Sequence, residues 1–198
     1  MNRFASSDRE ASEAPILIAG LGTPGPSYET TRHNVGFLFL DELGSRHQIS
    51  VRQRVRGALR GSGSLCGREV VLAKPQTFMN RSGPVVGTLL KALGLSPAEL
   101  LLIHDDLDIA WGRLRVKRSG GDAGHLGVRS VIESLGTEQF TRLRVGMGRP
   151  LEAQEAAGYV LAPFAEEELV ELPDILARGL GRVEELVRLW DREPVNSV

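Results

Sequence analysis

The stretch Pro15–Tyr28, PILIAGLGTPGPSY, places a continuous apolar run directly before a loop rich in glycine and proline. A short apolar run bounded by turn residues is typical of a strand that is buried on both faces in the middle of a parallel sheet. The loop has the spacing G-x-G-x-x-G at Gly20, Gly22 and Gly25, which also occurs in dinucleotide-binding proteins. The stretch therefore predicts the central strand of an α/β fold and raises the question of what the glycines do.

The residues around these glycines argue against a dinucleotide site. In such a site a helix begins inside the glycine motif, so that its first amides face the pyrophosphate. Here Pro26 disfavours a helical conformation at Gly25, and Pro24 has no amide hydrogen to offer. The next helical pattern begins only near Asn34. We therefore expect no dinucleotide cofactor and a structural role for the glycines.

The length of the chain, 198 residues, is sufficient for one domain with a substantial core. We expect a disordered N-terminal leader over 1–14, a single α/β domain over 15–192 and a short C-terminal tail over 193–198. The leader is polar and lacks the apolar segment of a secretory signal, and no apolar run approaches the roughly 20 residues of a membrane span. The single Cys66 cannot form an internal disulfide, which agrees with a reducing cytoplasm.

Strand-like and helix-like patterns alternate along the chain. The strand patterns cover Pro15–Leu21, Val51–Leu59, Val70–Ala73, Leu100–His104, Gly112–Lys117 and Arg142–Gly146. The helix patterns cover Val35–Leu43, Arg81–Gly94, Gly124–Leu135 and Glu166–Trp190. We expect Ser82 to cap the second helix, and we expect the last pattern to form one or two helices, broken near Pro173 and Gly179–Gly181. The alternation predicts an α/β fold, with a twisted, mixed and mostly parallel sheet flanked by helices.

The net charge of −1 conceals an uneven distribution along the chain. Residues 46–149 carry 17 Lys and Arg against 8 Asp and Glu, a balance of +9. Residues 1–45 carry 3 against 6 and residues 150–198 carry 4 against 11, balances of −3 and −7. A basic middle of this kind allows one positive face for a polyanion such as RNA, although folding can also interleave these charges.

Four segments that follow strands carry the reactive side chains: His33 and Asn34 in TRHNVG, Asn80 in KPQTFMNRSG, Asp105 in HDDLDIAWG and His125 in GGDAGHLG. A histidine can take a proton from water near neutral pH, a carboxylate can orient it, and an asparagine amide can stabilise an oxyanion. The chain has no G-x-S-x-G nucleophile motif. The pattern therefore favours hydrolysis by direct attack of water, without a covalent intermediate.

The order of these segments carries a specific resemblance. The stretches IAGLGTPGPSYETTRHNVGFLFLDEL, KPQTFMNRSG and LLIHDDLDIAWGRLRVKRSGGDAGHLGVRSVIESLGTEQFTRLRVGMGRP, with the acidic helix after them, resemble the bacterial peptidyl-tRNA hydrolase family. The resemblance extends from Ile16 to Trp190. It implies hydrolysis of the ester between a peptide and the 3′-terminal ribose of tRNA, by a cytoplasmic monomer that needs neither cofactor nor metal.

The resemblance also assigns roles to individual residues. His33 matches the catalytic base, Asp105 the acid that orients it, and Asn80 the amide that positions substrate and water. The residues expected to bind substrate, around the acceptor end and on the tRNA phosphate backbone, are Thr23, Tyr28, Phe78, Met79, Lys117, His125, Leu126 and Arg144. The opening loop is then expected to build a wall of the site and to lead the chain to His33.

Two positions depart from the family pattern. The family usually has asparagine where this chain has Thr23, and again where it has Leu126. The threonine hydroxyl keeps one donor and acceptor, whereas the leucine side chain keeps none. A lost neutral hydrogen bond costs about 0.5–1.5 kcal/mol. We therefore expect an active enzyme with an altered grip on its substrate.

Several alternatives remain open from the residues alone. A non-catalytic RNA-binding relative of the family and a hydrolase of another ester both fit parts of the pattern. His104, Asp105, Asp106 and Asp108 could suggest a metal, but no matching His or Cys pair follows at ligand spacing, and we expect His104 to be a core residue. The basic side chains near the site are either a solvated face or a phosphate-binding surface: Arg113, Arg115, Lys117, Arg118, Arg142, Arg144 and Arg149.

Overall fold

The computed structural model describes residues 14–150 and 156–190, and seven strands within them form one mixed sheet. The strands are β1 (Ile16–Gly20), β2 (Gln53–Val55), β3 (Ala58–Leu65), β4 (Arg68–Pro75), β5 (Leu100–Asp106), β6 (Leu114–Lys117) and β7 (Thr141–Gly146). Their order across the sheet is β2-β3-β4-β1-β5-β7-β6. The four central strands run parallel, while β3, β2 and β6 extend the edges in antiparallel pairing. This confirms the predicted mixed sheet; the predicted leader, except Ala14, and the predicted tail lie outside the described residues.

Five α-helices accompany the sheet: α1 (Val35–Arg46), α2 (Ser82–Leu93), α3 (Leu126–Leu135), α4 (Ala156–Leu161) and α5 (Glu166–Arg188). Three short 3₁₀ turns cover Arg32–Asn34, Met79–Arg81 and Pro97–Glu99. Within the described residues no helix is long and apolar enough to cross a membrane.

The alternation of side chains along β1 separates two apolar cores. Ile16 and Ile18 pack with α1 and α5 on one face of the sheet, and Leu17 and Ala19 pack with α2 and α3 on the other. All four side chains are fully buried. The helices therefore cover both faces of the central strands, and their ends meet the carboxyl edge of the sheet.

The glycine motif after β1 serves packing and chain reversal. A Cβ on Gly20 would lie 2.2 Å from the carbonyl oxygen of Gly36, because the first turn of α1 rests directly on the end of β1. Gly25 has φ of +118°, a conformation that favours glycine. The motif therefore brings α1 against the sheet and turns the chain toward His33.

One predicted strand is wrong. The pattern Val51–Leu59 indicated a single strand, but β2 ends at Val55 and β3 begins at Ala58, with a two-residue turn between them. Arg56 and Gly57 both have positive φ, at 50° and 81°. Two positive φ values give the tight turn that matches the twist of a hairpin, and an arginine at the first position hides it from sequence inspection.

The predicted cap and the predicted helix break are also wrong. Ser82 is the first residue of α2 and its Oγ is buried without a partner in the described residues, because the preceding 3₁₀ turn leads straight into the helix with Arg81 at the cap position. α5 continues through Pro173. Pro173 is exposed, so water can bind the carbonyl that the proline leaves free, and Gly179 lies against the ring of Phe39, where a Cβ would not fit.

Candidate active site

A cleft of about 880 Å³ lies at the carboxyl ends of the central strands. Thr23 enters it from the loop after β1, Asn80 from the 3₁₀ turn after β4, and Asp105 from the end of β5. His33 comes from the 3₁₀ turn before α1, and His125 stands directly before α3. The parallel topology therefore brings together the four segments that the sequence singled out.

His33 is paired with a buried carboxylate. Its Nδ1 lies 3.0 Å from both Oδ1 and Oδ2 of Asp105, and its side chain is only 12% exposed. Burial lowers the pKa of His33, but the charge and the hydrogen bond of Asp105 outweigh burial and leave the pKa above 6.5. With Nδ1–H directed at the carboxylate, Nε2 is the ring nitrogen left to accept a proton.

His125 also contacts this carboxylate, with the opposite ring nitrogen. Its Nδ1 accepts hydrogen bonds from the backbone amides of Gly127 (3.1 Å) and Val128 (3.2 Å) at the start of α3. The proton of the ring therefore resides on Nε2, which donates to Oδ1 of Asp105 at 2.9 Å. Both nitrogens of His125 are engaged by the protein, so this histidine has no free ring nitrogen with which to remove a proton from water, as His33 has.

Asp105 is held ionised between these two histidines. Burial raises the pKa of its carboxyl group, but His125 and His33 together hold that pKa well below its usual range. The single carboxylate thus links the first turn of α3 to the ring of His33 through three consecutive hydrogen bonds.

His104 packs behind this network. It is 2% exposed, and its Nδ1 donates to the backbone oxygen of Asp105 at 2.7 Å. Burial lowers its pKa well below 6.5, with a further lowering from His125, whose ring lies edge-on at 4.8 Å. The expected core histidine is confirmed, although its Nε2 has no partner among the described residues.

The other predicted substrate residues divide into two groups. Those in the first group line the cleft: Thr23, Tyr28, Phe78, Met79, His125 and Leu126. Lys117 and Arg144 do not line it. Arg144 lies on β7 and its Nε donates to Asp106, a cleft residue, at 2.7 Å, while Lys117 lies on the neighbouring strand β6 with Nζ 3.4 Å from the backbone oxygen of Gly121.

Arg142 is removed from the candidate phosphate-binding surface. It is 1% exposed and stacks on the ring of Phe140. Its guanidinium donates to the backbone oxygens of Gly121 and Glu138. The cation therefore fastens the glycine-rich segment before His125 to the sheet.

Two further side chains anchor the site: Asn34, from the same reactive segment of the sequence as His33, and Arg32, which the sequence did not single out. Asn34 receives the amide of Thr23 at 2.8 Å and donates to its carbonyl at 2.9 Å, which fixes the loop that walls the site. Arg32 is buried and donates to the backbone oxygens of Tyr159, Ala162 and Pro163. It also pairs with Glu168 at 2.7 Å. Both residues flank His33 in the sequence. For Arg32, a charged side chain within a short turn was the only feature of the sequence that could have indicated its anchoring role.

The far wall of the cleft was not predicted either. Val160 and Leu161 of α4 line the cleft, together with Ala156 and Ala157. The Arg32 contacts hold this wall against the turn that carries His33. The short apolar pattern of α4 gives little periodicity, which is why it was overlooked.

The two histidines and the carboxylate are also the one group within the described residues with metal-binding geometry. Ligand atoms of His33, Asp105 and His125 lie within 4.8 Å of one another, whereas the four residues considered from the sequence do not form such a group. Hydrogen bonds join these three residues, and two backbone amides donate to Nδ1 of His125. These hydrogen bonds explain why the three side chains lie close together without a metal ion between them. That the protein needs no metal stays a prediction.

Comparisons of sequence and of structure with known proteins match the chain to one family. A family model described as peptidyl-tRNA hydrolase matches residues 17–197. The peptidyl-tRNA hydrolase of Mycobacterium sp. (strain KMS) is 47% identical over 188 residues, which cover 89% of this chain and 98% of that relative. The one from Mycolicibacterium gilvum is 45% identical over 185 residues, with 93% and 96% covered. A crystal structure of a peptidyl-tRNA hydrolase from Acinetobacter baumannii matches with a TM-score of 0.83 at 35% identity, covering 88% of this chain and 89% of that one.

Proposed function

Because the chain belongs to the peptidyl-tRNA hydrolase family, we propose that it hydrolyses the ester between a peptide and the 3′-terminal ribose of tRNA, releasing both. The observation that carries this proposal is the ring of His33, bonded at Nδ1 to a buried carboxylate and open at Nε2, in a cleft that also holds Asn80. A base, the carboxylate that orients it and an amide donor are the parts that ester hydrolysis by direct attack of water can use.

In the proposed mechanism, Nε2 of His33 removes a proton from a water molecule as that water attacks the ester carbonyl. Asp105 keeps the ring in the required tautomer and stabilises the imidazolium that forms. The amide of Asn80 donates to the oxyanion or orients the water. The imidazolium then returns its proton to the departing ribose oxygen, which leaves a free peptide carboxyl group and a free 3′ end on the tRNA.

We infer that His125 is a positioning residue for this chemistry. It donates a second hydrogen bond to Oδ1 of Asp105, beside the ring of His33, and ties the carboxylate to the start of α3. This differs from the role in substrate binding that the sequence suggested, although the residue also lines the cleft.

We further propose that the tRNA backbone lies along β6 and β7 beside the cleft, with its acceptor end in the cleft. Lys117 and Arg144 are the proposed phosphate contacts, and Arg142 is excluded by burial. The same resemblance supports a cytoplasmic monomer with one catalytic domain over 15–192. A non-catalytic RNA-binding relative is not favoured, because binding alone has no use for a base, its orienting acid and an amide in one cleft.

The proposal is tested by hydrolysis of an N-acetyl-aminoacyl-tRNA. We expect the His33→Ala variant to lose about 10²–10⁴-fold in kcat, since general base catalysis contributes this much. The matched control is His47→Ala, because His47 contacts Glu184 and does not line the cleft. Equal rates for the wild type and His33→Ala would reject the mechanism.

A further inference from the structure

The exposed apolar side chains of the described residues are concentrated at the cleft. Five large hydrophobic side chains are exposed among the described residues, and three of them line the cleft: Phe78 at 64%, Leu126 at 50% and Leu161 at 46%. The other two, Leu169 and Val170, lie on α5 and do not line it. Apolar surface left in water around a catalytic cleft is a mark of an apolar ligand group.

These three residues come from separate elements. Phe78 precedes the 3₁₀ turn of Asn80, Leu126 is the first residue of α3, and Leu161 is the last residue of α4. Three unrelated segments thus contribute an apolar side chain to the same space, which no single element requires for its own packing. We call this set the apolar wall.

Peptide side chains are the part of the proposed substrate that suits such a wall best. A base of the tRNA end can stack on an aromatic ring such as Phe78, but Leu126 and Leu161 are aliphatic and match the aliphatic groups of a peptide side chain. Leu126 directly follows His125, which is bonded to Asp105, which is bonded to His33. The wall therefore begins one residue away from the proposed catalytic hydrogen bonds, next to the position of the ester.

We propose that the apolar wall is a specificity subsite, in which Leu126 selects peptidyl-tRNAs whose esterified amino acid has an apolar side chain. This inference rests on the proposed function. The leucine side chain offers no hydrogen bond, so a polar side chain placed against it loses water without gaining a partner. An apolar side chain at the same place is instead removed from water by Phe78, Leu126 and Leu161.

The test uses one tRNA acylated chemically with N-acetyl-leucine or N-acetyl-serine, so that only the amino acid differs. We expect kcat/KM of the wild type to be about tenfold higher for the leucyl ester, the size of discrimination that partial burial of such a side chain gives. The Leu126→Asn and Leu161→Ala variants should each reduce this ratio to about threefold or less, mainly by losing rate on the leucyl ester. Leu169→Ala, a leucine of similar exposure outside the cleft, should keep the full ratio.

The outcomes separate the inference from the function on which it rests. Equal kcat/KM for the two esters in the wild type, or an unchanged ratio in both cleft variants, would overturn the specificity subsite while leaving the hydrolase intact. Failure of the wild type to hydrolyse either ester would overturn the proposed function, and the subsite with it.

Discussion

At the scale of single residues, one carboxylate decides which histidine can be a base. Asp105 receives a proton donor from each of two imidazoles, His33 through Nδ1 and His125 through Nε2. The other ring nitrogen of His125 already accepts hydrogen bonds from two backbone amides of α3, whereas Nε2 of His33 remains available to accept a proton. The hydrogen-bond inventory alone therefore assigns the proton acceptor.

Replacing this carboxylate should change the pH profile in a defined direction. His33 acts as a base only when neutral, so kcat/KM should fall with decreasing pH through its raised pKa, above 6.5. In Asp105→Asn the raising charge is gone while burial still lowers the pKa of His33. We expect the acid limb to move to lower pH and the maximal kcat to fall about 10²–10⁴-fold, because an asparagine amide neither stabilises the imidazolium by charge nor secures the required ring tautomer.

The measurement for this prediction is kcat/KM of an N-acetyl-aminoacyl-tRNA between pH 5 and pH 9. Asp108→Asn is the matched control, because Asp108 lines the cleft but pairs with Arg149 instead of a histidine. An acid limb that stays in place in Asp105→Asn would show that another group titrates.

At the scale of elements, α3 is part of the chemistry because a histidine caps it. His125→Asn keeps a side-chain acceptor for the amides of α3 but is too short to keep the bond to Asp105. His125→Ala loses both contacts. We expect both variants to lose kcat, while only the alanine variant loses about 1 kcal/mol of stability.

Thermal or urea unfolding alongside the hydrolysis assay separates these two effects. If stability and kcat fell in proportion in both variants, the role of His125 would be structural alone. The outcome consistent with a positioning role is a stable His125→Asn variant that is slow.

The elements also show what a sequence reveals and what it conceals. The buried strands β1 and β5 were predicted because they have no polar residue in their apolar centres, and Gly94 marks the end of α2 because its φ of +68° favours glycine. The hairpin was missed because Arg56 occupies a position where glycine or asparagine is usual. Pro173 misled because a helix tolerates proline where the free carbonyl reaches water.

The site was predictable to the same partial extent. His33, Asn80 and Asp105 were found because their residue types suit hydrolysis and their segments follow strands. The bond between His125 and Asp105 could not be found, because it depends on the rotation of a ring at the start of a helix 20 residues away. The burial of Arg142 was equally hidden, since its alternating basic pattern is that of a solvated strand face.

At the scale of the whole molecule, not every basic side chain of residues 46–149 lies on the surface. With Arg142 buried, the proposed contact with tRNA depends on fewer cations than the count suggests. Each phosphate contact contributes about one unit to the slope of log affinity against log salt. We expect Lys117→Ala to reduce that slope by about one and to weaken tRNA esters more than short ester fragments.

The control for this prediction is Lys91→Ala, because Lys91 is an exposed lysine at the end of α2, on a different element. Titration of binding at several salt concentrations gives both slopes. Equal losses on tRNA esters and short fragments would exclude a phosphate contact for Lys117.

The ion pair between Arg32 and Glu168 should also make a measurable contribution to the free energy of unfolding. Glu168→Gln removes the charge that faces the buried guanidinium of Arg32 but leaves its three carbonyl acceptors. We expect a loss of about 1–3 kcal/mol in the free energy of unfolding, measured by urea denaturation. Glu167→Gln, one residue earlier in the acidic first turn of α5, is the control and should change stability by less than about 0.5 kcal/mol.

The contacts of Arg32 can form only late in the synthesis of the described residues. The carbonyl oxygens and the carboxylate that accept hydrogen bonds from its guanidinium lie 127 to 136 residues later in the chain. A ribosome must therefore deliver α4 and the beginning of α5 before the turn beside His33 is anchored and the cleft has its second side. The newborn chain therefore has both sides of its cleft only after α4 and the beginning of α5 have been synthesised.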